Sequence, residues 1–322
     1  MKRFCAVTLV LLLGIGMLSG CQQPVADDRI SIVCTVFPQY DWVRQILGDN
    51  SDDIELTLLL KNNVDLHSYQ PSFDDIAGIS ACDLFIYIGG ASDGWVEAAL
   101  REATNKNMVI LNLLDVLGNV AKQEEVQEGM EAENGEEEVA YDEHVWLSLR
   151  NASLFCSAIT DALSSLDSGN SRKYRENLAA YTDKLDSLDA EYKAAADTAS
   201  VKTLLFGDRF PFRYLTDDYG LDYYAAFLGC SAETEASIKT IVFLTEKVDE
   251  LNLKSILVTE SSNKEIAETI IRESKGNNQQ IMVLDSMQSV TSSDVENGVT
   301  YLSIMESNLN VLKDALKSNS PE

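Results

Sequence analysis

The chain has 322 residues, enough for roughly two domains at about 150 residues each. Hydrophobic residues make up 45% and charged residues 24%, which excludes disorder or low complexity over most of the length. Asp and Glu number 52 against 25 Lys and Arg, and the resulting net charge of −27 repels nucleic acid and anionic lipid while it attracts cations.

The amino terminus carries Met1-Lys2-Arg3, an apolar run from Phe4 to Met17, and then Leu18-Ser19-Gly20-Cys21. A basic start, a short apolar stretch and small residues at its end predict a secretory leader over 1–20. Leu-Ser-Gly-Cys resembles a bacterial lipobox, which makes Cys21 the expected lipidated residue and 21–29 a tether. The remainder is then expected outside the cytoplasm, anchored to the bacterial cell membrane by lipid. Cys34, Cys82, Cys156 and Cys230 form no Cys-x-x-Cys pair, so they give neither zinc-knuckle nor redox spacing. Cys34 and Cys156 read as small buried hydrophobes, and no disulfide pairing follows from the sequence.

Strands are expected near Ile30 to Val36, Ile54 to Leu60, Asp83 to Ile88 and Met108 to Asn112, with helices such as Asp41 to Leu47 and Trp95 to Thr104 between them. A second set lies near Lys202 to Phe206, Tyr223 to Ala226, Ser255 to Thr259 and Gln280 to Leu284, with helices at Ser237 to Glu250 and Lys264 to Ser274. This alternation predicts two α/β lobes, 30–170 and 199–322, each a mostly parallel sheet flanked by helices. Between them, Ser171 to Ala196 lacks Gly and Pro and spaces Tyr174, Leu178, Tyr181, Leu185, Leu188 and Tyr192 alternately by four and three. That single apolar stripe predicts one long spine helix, placed at 171–198, packed across both lobes and limiting hinge motion. From Lys122 to Glu143 there are ten acidic residues and one basic, which predicts a solvated loop or disordered insertion. It serves either as a cation collector ahead of His144 or simply for solubility.

Ligands of open parallel sheets bind beyond the carboxyl ends of the strands, and the polar candidates fall there. His67 and His144 are the only histidines of the chain, and both lie in loops of the first half where a cleft is expected. In the second half, Asp208 follows the strand ending at Phe206, Glu260 follows Thr259, and Asp285 follows Leu284. Imidazole nitrogens with carboxylate oxygens suit zinc or manganese rather than copper(I). A carboxylate at a strand end also serves as an ordinary helix cap, so each acid has two readings.

At these residues the sequence resembles the lipid-anchored substrate-binding proteins of ABC-type zinc and manganese importers, the ZnuA/TroA-like cluster, which includes proteins classed with cell adhesion. His67 with Gln70-Pro71-Ser72 is similar to the family's first ligand motif. Glu143-His144-Val145-Trp146-Leu147-Ser148 is similar to the second, with Glu143 where the family has proline. For the third ligand, counting back from Tyr219-Gly220-Leu221 sets Arg209 in the ligand column, whereas matching Asp208-x-Phe210 sets Gly207 there. Neither side chain coordinates a metal, so Asp208 is the chemical choice. Leu284-Asp285-Ser286 is similar to the fourth ligand segment, with Glu260 as the weaker alternative.

The resemblance implies a two-lobed receptor joined by its spine helix, holding one divalent ion, Zn2+ ahead of Mn2+, on His67, His144, Asp208 and Asp285. It also implies a monomer that hands the ion to an ABC permease and its ATPase. Four protein ligands leave no place for an activated water, so such a site binds rather than catalyses. The competing readings are a metal-dependent hydrolase with Glu260 as general base, and a receptor for an organic metal chelate.

Overall fold

The computed structural model describes residues 29–50, 53–61, 64–131, 140–231 and 235–318. The expected leader, the tether and Cys21 lie outside the described residues.

The first lobe holds a four-stranded sheet of β1 (Ile30–Cys34), β2 (Ile54–Leu58), β3 (Leu84–Tyr87) and β4 (Val109–Asn112), in the order β2-β1-β3-β4. All pairs are parallel, with Ile30 opposite Ile54 and Ile32 opposite Leu84. The second lobe repeats this order with β5 (Thr203–Phe210), β6 (Asp222–Leu228), β7 (Ser255–Val258) and β8 (Gln280–Val283) as β6-β5-β7-β8, again parallel. Apolar runs such as Leu84-Phe85-Ile86 are buried because helices cover both faces of a parallel sheet.

The helices of the first lobe are α1 (Phe37–Leu47), α2 (Phe73–Ala81), α3 (Val96–Arg101), α4 (Leu113–Leu117) and α5 (Leu149–Leu166). Ser72 and Asp75 form a reciprocal cap at the start of α2, and Ser148 caps α5 by accepting from Asn151 N. The spine α6 (Ser171–Thr198) follows. The second lobe adds α7 (Arg213–Tyr219), α8 (Ile238–Leu251), α9 (Glu265–Glu273), α10 (Ser292–Glu296) and α11 (Tyr301–Ser318). No described helix is long and apolar enough to cross a membrane.

The spine buries Tyr174, Tyr181, Leu185, Leu188 and Tyr192, packing on α1 and α5 on one side and on α7 and α11 on the other. A second crossing was not foreseen from the sequence. Helix α11 touches α1 as well as β5 and β8, and Tyr301 at its start donates its N–H to buried Asp41 at 2.9 Å and its hydroxyl to Trp146 O at 2.7 Å. Trp146 in turn donates to Ser286 O at 2.9 Å. One apolar core therefore runs through both lobes, from Ile32 to Leu316. A smaller core lies between the second sheet and α8 and α9, around Phe227, Leu244 and Ile256.

Two sequence expectations change. Strand β5 does not stop at Phe206 but continues to Phe210 through a bulge, so Asp208 lies inside the strand rather than after it. Phe206 faces Ala225 and Arg209 faces Phe227, which leaves one extra residue on β5 and bends it at Gly207-Asp208. The described parts of the acidic stretch, 122–131 and 140–143, are docked at several points, although Glu125 and Glu128 stay exposed. Glu124 N bonds Ala140 O and Asp142 N bonds Lys122 O, each at 2.8 Å. Glu131 pairs in parallel with Phe227 on the open edge of β6, and its carboxylate accepts from Ser237 N and Thr240 Oγ1, each at 2.7 Å. The reason is chemical: the carboxylates find backbone N–H groups of the second lobe, which composition alone does not reveal.

Candidate metal centre

His67 sits in a single 3-10 turn, Leu66–Ser68, that follows β2. Asp65 opens the turn and accepts from His67 N at 2.9 Å. The ring's Nδ1 lies 2.7 Å from Ser92 Oγ, and Ser92 N donates to Glu143 Oε1 at 2.8 Å. His144 precedes another 3-10 turn, Val145–Leu147, and is fully buried. Asp142 Oδ1 accepts from both His144 N at 2.8 Å and His144 Nδ1 at 2.9 Å. A carboxylate on Nδ1 fixes that nitrogen as the N–H and leaves the Nε2 lone pair free, the arrangement that holds metal-binding imidazoles.

The two rings meet edge to face, with centroids 5.5 Å apart and planes inclined by 61°. Both Nε2 atoms are buried without a hydrogen-bond partner, as is Glu143 Oε2. Such orphans are costly in a protein interior unless something else satisfies them. Cys230 completes the group. The ligand atoms of His67, His144 and Cys230 all lie within 4.8 Å of one another. Donors around one tetrahedral zinc ion stand about 3.4–3.6 Å apart, so the three atoms lie within roughly an ångström of that spacing.

Burial, with the neighbouring His144 ring behind it, lowers the His67 pKa to about 4, and the Arg209 guanidinium adds to the effect. That imidazole is neutral at ordinary pH and ready to coordinate. For His144, burial alone acts downward, but the carboxylates of Asp142, Glu143 and Glu124 outweigh it and the net direction is up. Burial pushes the Cys230 thiol well above its usual value, reinforced by Glu124 and Asp142. A cation among these groups meets a strongly negative surrounding.

The remaining expected donors lie outside this cluster. Asp208 accepts from Arg209 N at 2.8 Å, Thr259 N at 3.0 Å and Thr259 Oγ1 at 2.7 Å, tying β5 to the end of β7. Asp285 accepts from Met287 N at 2.7 Å, and burial together with Glu260 raises its pKa to about 6. Glu260 itself takes Ser286 N, Ser286 Oγ and Gln288 N. Of the two residues competing for the third ligand column, Gly207 faces away: a Cβ there would lie 2.8 Å from Ala267 Cα in α9. Arg209 reaches the site, its Nη1 lying 3.1 Å from Asp65 Oδ2 and 3.4 Å from Ser231 O.

Sequence reasoning missed Cys230, Asp142, Ser92 and Glu124. A signal for Cys230 existed, since Gly229-Cys230 directly follows β6, at the same end of the sheet where the acids were sought. With no second cysteine nearby, no spacing rule marks it. Asp142 and Ser92 bind ring nitrogens rather than metal, and nothing in their local sequence marks them.

Two imidazoles with buried, unpartnered Nε2 atoms, one held by a serine and one by a carboxylate, form a candidate metal-binding site between two parallel-sheet lobes. The chain matches, over residues 32–315, the family described as zinc-uptake complex component A, periplasmic, and it belongs to that family. It is 29% identical over its whole length to the zinc-binding lipoprotein AdcA of Streptococcus pneumoniae, of which it spans 62%, so the chain covers less than two thirds of that relative. It is also 29% identical to the high-affinity zinc uptake system protein ZnuA of Bacillus subtilis, over 90% of this chain and 88% of the relative. Among solved structures, the Zn(II)-bound ZnuA-like domain of Streptococcus pneumoniae AdcA superposes with a TM-score of 0.70 at 29% identity, covering 89% of this chain and 99% of that one. The metal-dependent lipoprotein YcdH of Bacillus subtilis does so with a TM-score of 0.72 at 28% identity, covering 89% and 99%.

Proposed function

We propose that this chain captures one zinc ion outside the cytoplasm, between its two lobes, and delivers it to an ABC permease driven by an ATPase. The observation that carries this reading is that the chain's only two histidines stand with ring centroids 5.5 Å apart, each with a buried Nε2 that has no hydrogen-bond partner. Their other nitrogens are already engaged, by Ser92 and Asp142. An ion held there would satisfy both orphans at once. Zinc takes imidazole readily, while manganese favours oxygen-rich sets, and the carboxylates of Asp208 and Glu260 are engaged by several hydrogen bonds each. The same occupation leaves Glu260 poorly placed as the base of a hydrolase. The names of the relatives, zinc-binding lipoprotein and zinc uptake system protein, support the reading. Tethering through lipid on Cys21 and a monomeric state complete the proposal.

Elemental analysis of protein purified without chelator tests it, followed by titration of the stripped protein with zinc. One zinc per chain is expected. At a hundredfold excess over Kd, binding raises the unfolding free energy by about 2.7 kcal/mol. His67→Ala and His144→Ala should each remove most of that stabilisation, and an unchanged melting shift in either variant refutes the assignment.

A further inference from the structure

We propose that Cys230 is the metal donor contributed by the second lobe, and that its thiolate makes the site select zinc over manganese. This inference rests on the receptor reading above and deepens it. Two separate observations support it. The Sγ atom lies within 4.8 Å of a ring nitrogen of each histidine, and His144, fully buried in the same cluster, has an Nε2 with no hydrogen-bond partner.

The local backbone explains how the thiol gets there. A Cβ on Gly229 would lie 3.0 Å from His144 Cε1 and 2.9 Å from Phe210 O, so only glycine lets the loop press against the imidazole. The next side chain along is that of Cys230. Its backbone N–H donates to Glu124 Oε1 at 3.0 Å, and Arg209 Nη1 approaches Ser231 O at 3.4 Å, so the loop is gripped from both sides. Glu124 belongs to the acidic stretch, which gives that stretch a task neither expected reading assigned to it. It positions a donor.

The chemistry follows from the donor set. Two imidazole nitrogens and one thiolate sulfur suit zinc, whereas manganese gains little from sulfur. On binding, the S–H bond breaks, its electron pair goes to the metal, and the proton leaves to solvent. Because the histidines belong to the first lobe and the cysteine to a loop of the second, a small shift of that loop would withdraw one donor while two remain. That offers a graded route to release.

Cobalt(II) is the probe, added to stripped full-length protein. The expected result is a near-ultraviolet thiolate-to-cobalt charge-transfer band in the native chain. Cys230→Ser should lose the band while still binding cobalt through the histidines, and its zinc-over-manganese affinity ratio should fall on the order of tenfold or more. Cys230→Asp, which restores an ionisable donor, should fold and shift the ratio further toward manganese. Cobalt bound by the native chain without that band overturns the cysteine assignment and leaves the histidine reading standing. So does a band that Cys230→Ser retains, or an unchanged ratio in both variants. Failure of the native chain to bind either cobalt or zinc overturns both.

Discussion

Two histidines in one chain make residue chemistry unusually accessible, because a metal-free sample shows only two imidazole signals by NMR. The His67 signal is expected to titrate near pH 4, held down first by burial and then by His144, and the His144 signal above 6.5, raised by Asp142, Glu143 and Glu124. The signs for stability are opposite. The depressed His67 is protonated in the unfolded chain first, so its contribution is present above about 6.5 and is lost as pH falls toward 4. The raised His144 contributes below 6.5 and loses that contribution as pH rises through its folded pKa. Two signals titrating together at an ordinary histidine pKa would show that the rings do not share one buried site. Asp142 matters at the same scale. Asp142→Ala should weaken zinc binding by roughly 10–100-fold, measured by chelator competition, because the ring loses the partner that sets its tautomer. Asp142→Asn keeps an acceptor and should lose less. At this scale the sequence disclosed the imidazoles, which are rare and placed in loops. It did not disclose their partners, since an aspartate two residues before a histidine has no spacing rule, and Ser92 arrives from a different turn.

Elements were more legible than residues. The eight strands among the described residues are marked by β-branched and apolar runs between turn residues, and the spine by its stripe of tyrosines and leucines. Periodicity depends on burial by a whole face, so it survives in a single sequence. What failed was local: Gly207-Asp208 carries turn residues, yet a bulge keeps it within β5, and only pairing with β6 discloses that. The acidic stretch failed for the complementary reason. Its charge suggests solvation, but Glu131 satisfies the N–H of Ser237 at the start of α8 and Gly129, at φ 86°, lies flat against Phe243. Glu131→Ala should therefore cost about 1 kcal/mol in urea unfolding, comparable to loss of a helix cap. Glu131→Gln, which keeps an acceptor, should lose less. No change in either variant would mean the segment is free after all.

At the scale of the whole molecule, the decisive feature is that the lobes are not two bodies on a hinge. The spine packs on helices of both, α11 crosses back to α1, and Arg209 pairs with Asp65 across the cleft at 3.1 Å. The Trp146 indole joins the His144 loop to Ser286 of the second lobe. With one continuous core, moving either lobe far means exposing apolar surface at roughly 25 cal/mol per Å2, so release must come from small shifts at the loops. The chain supplies its own test of this unity. Trp42, Trp95 and Trp146 all lie in the first half, so tryptophan fluorescence reports that half while far-ultraviolet circular dichroism reports every helix. If the core is shared, the two signals should follow a single urea transition with one midpoint, and zinc should move both together. Fluorescence changing at a lower or higher denaturant concentration than dichroism would show lobes that unfold separately. In that case a zinc ion bridging them would have to be gripped by closure about a hinge, and not by loops already held in place.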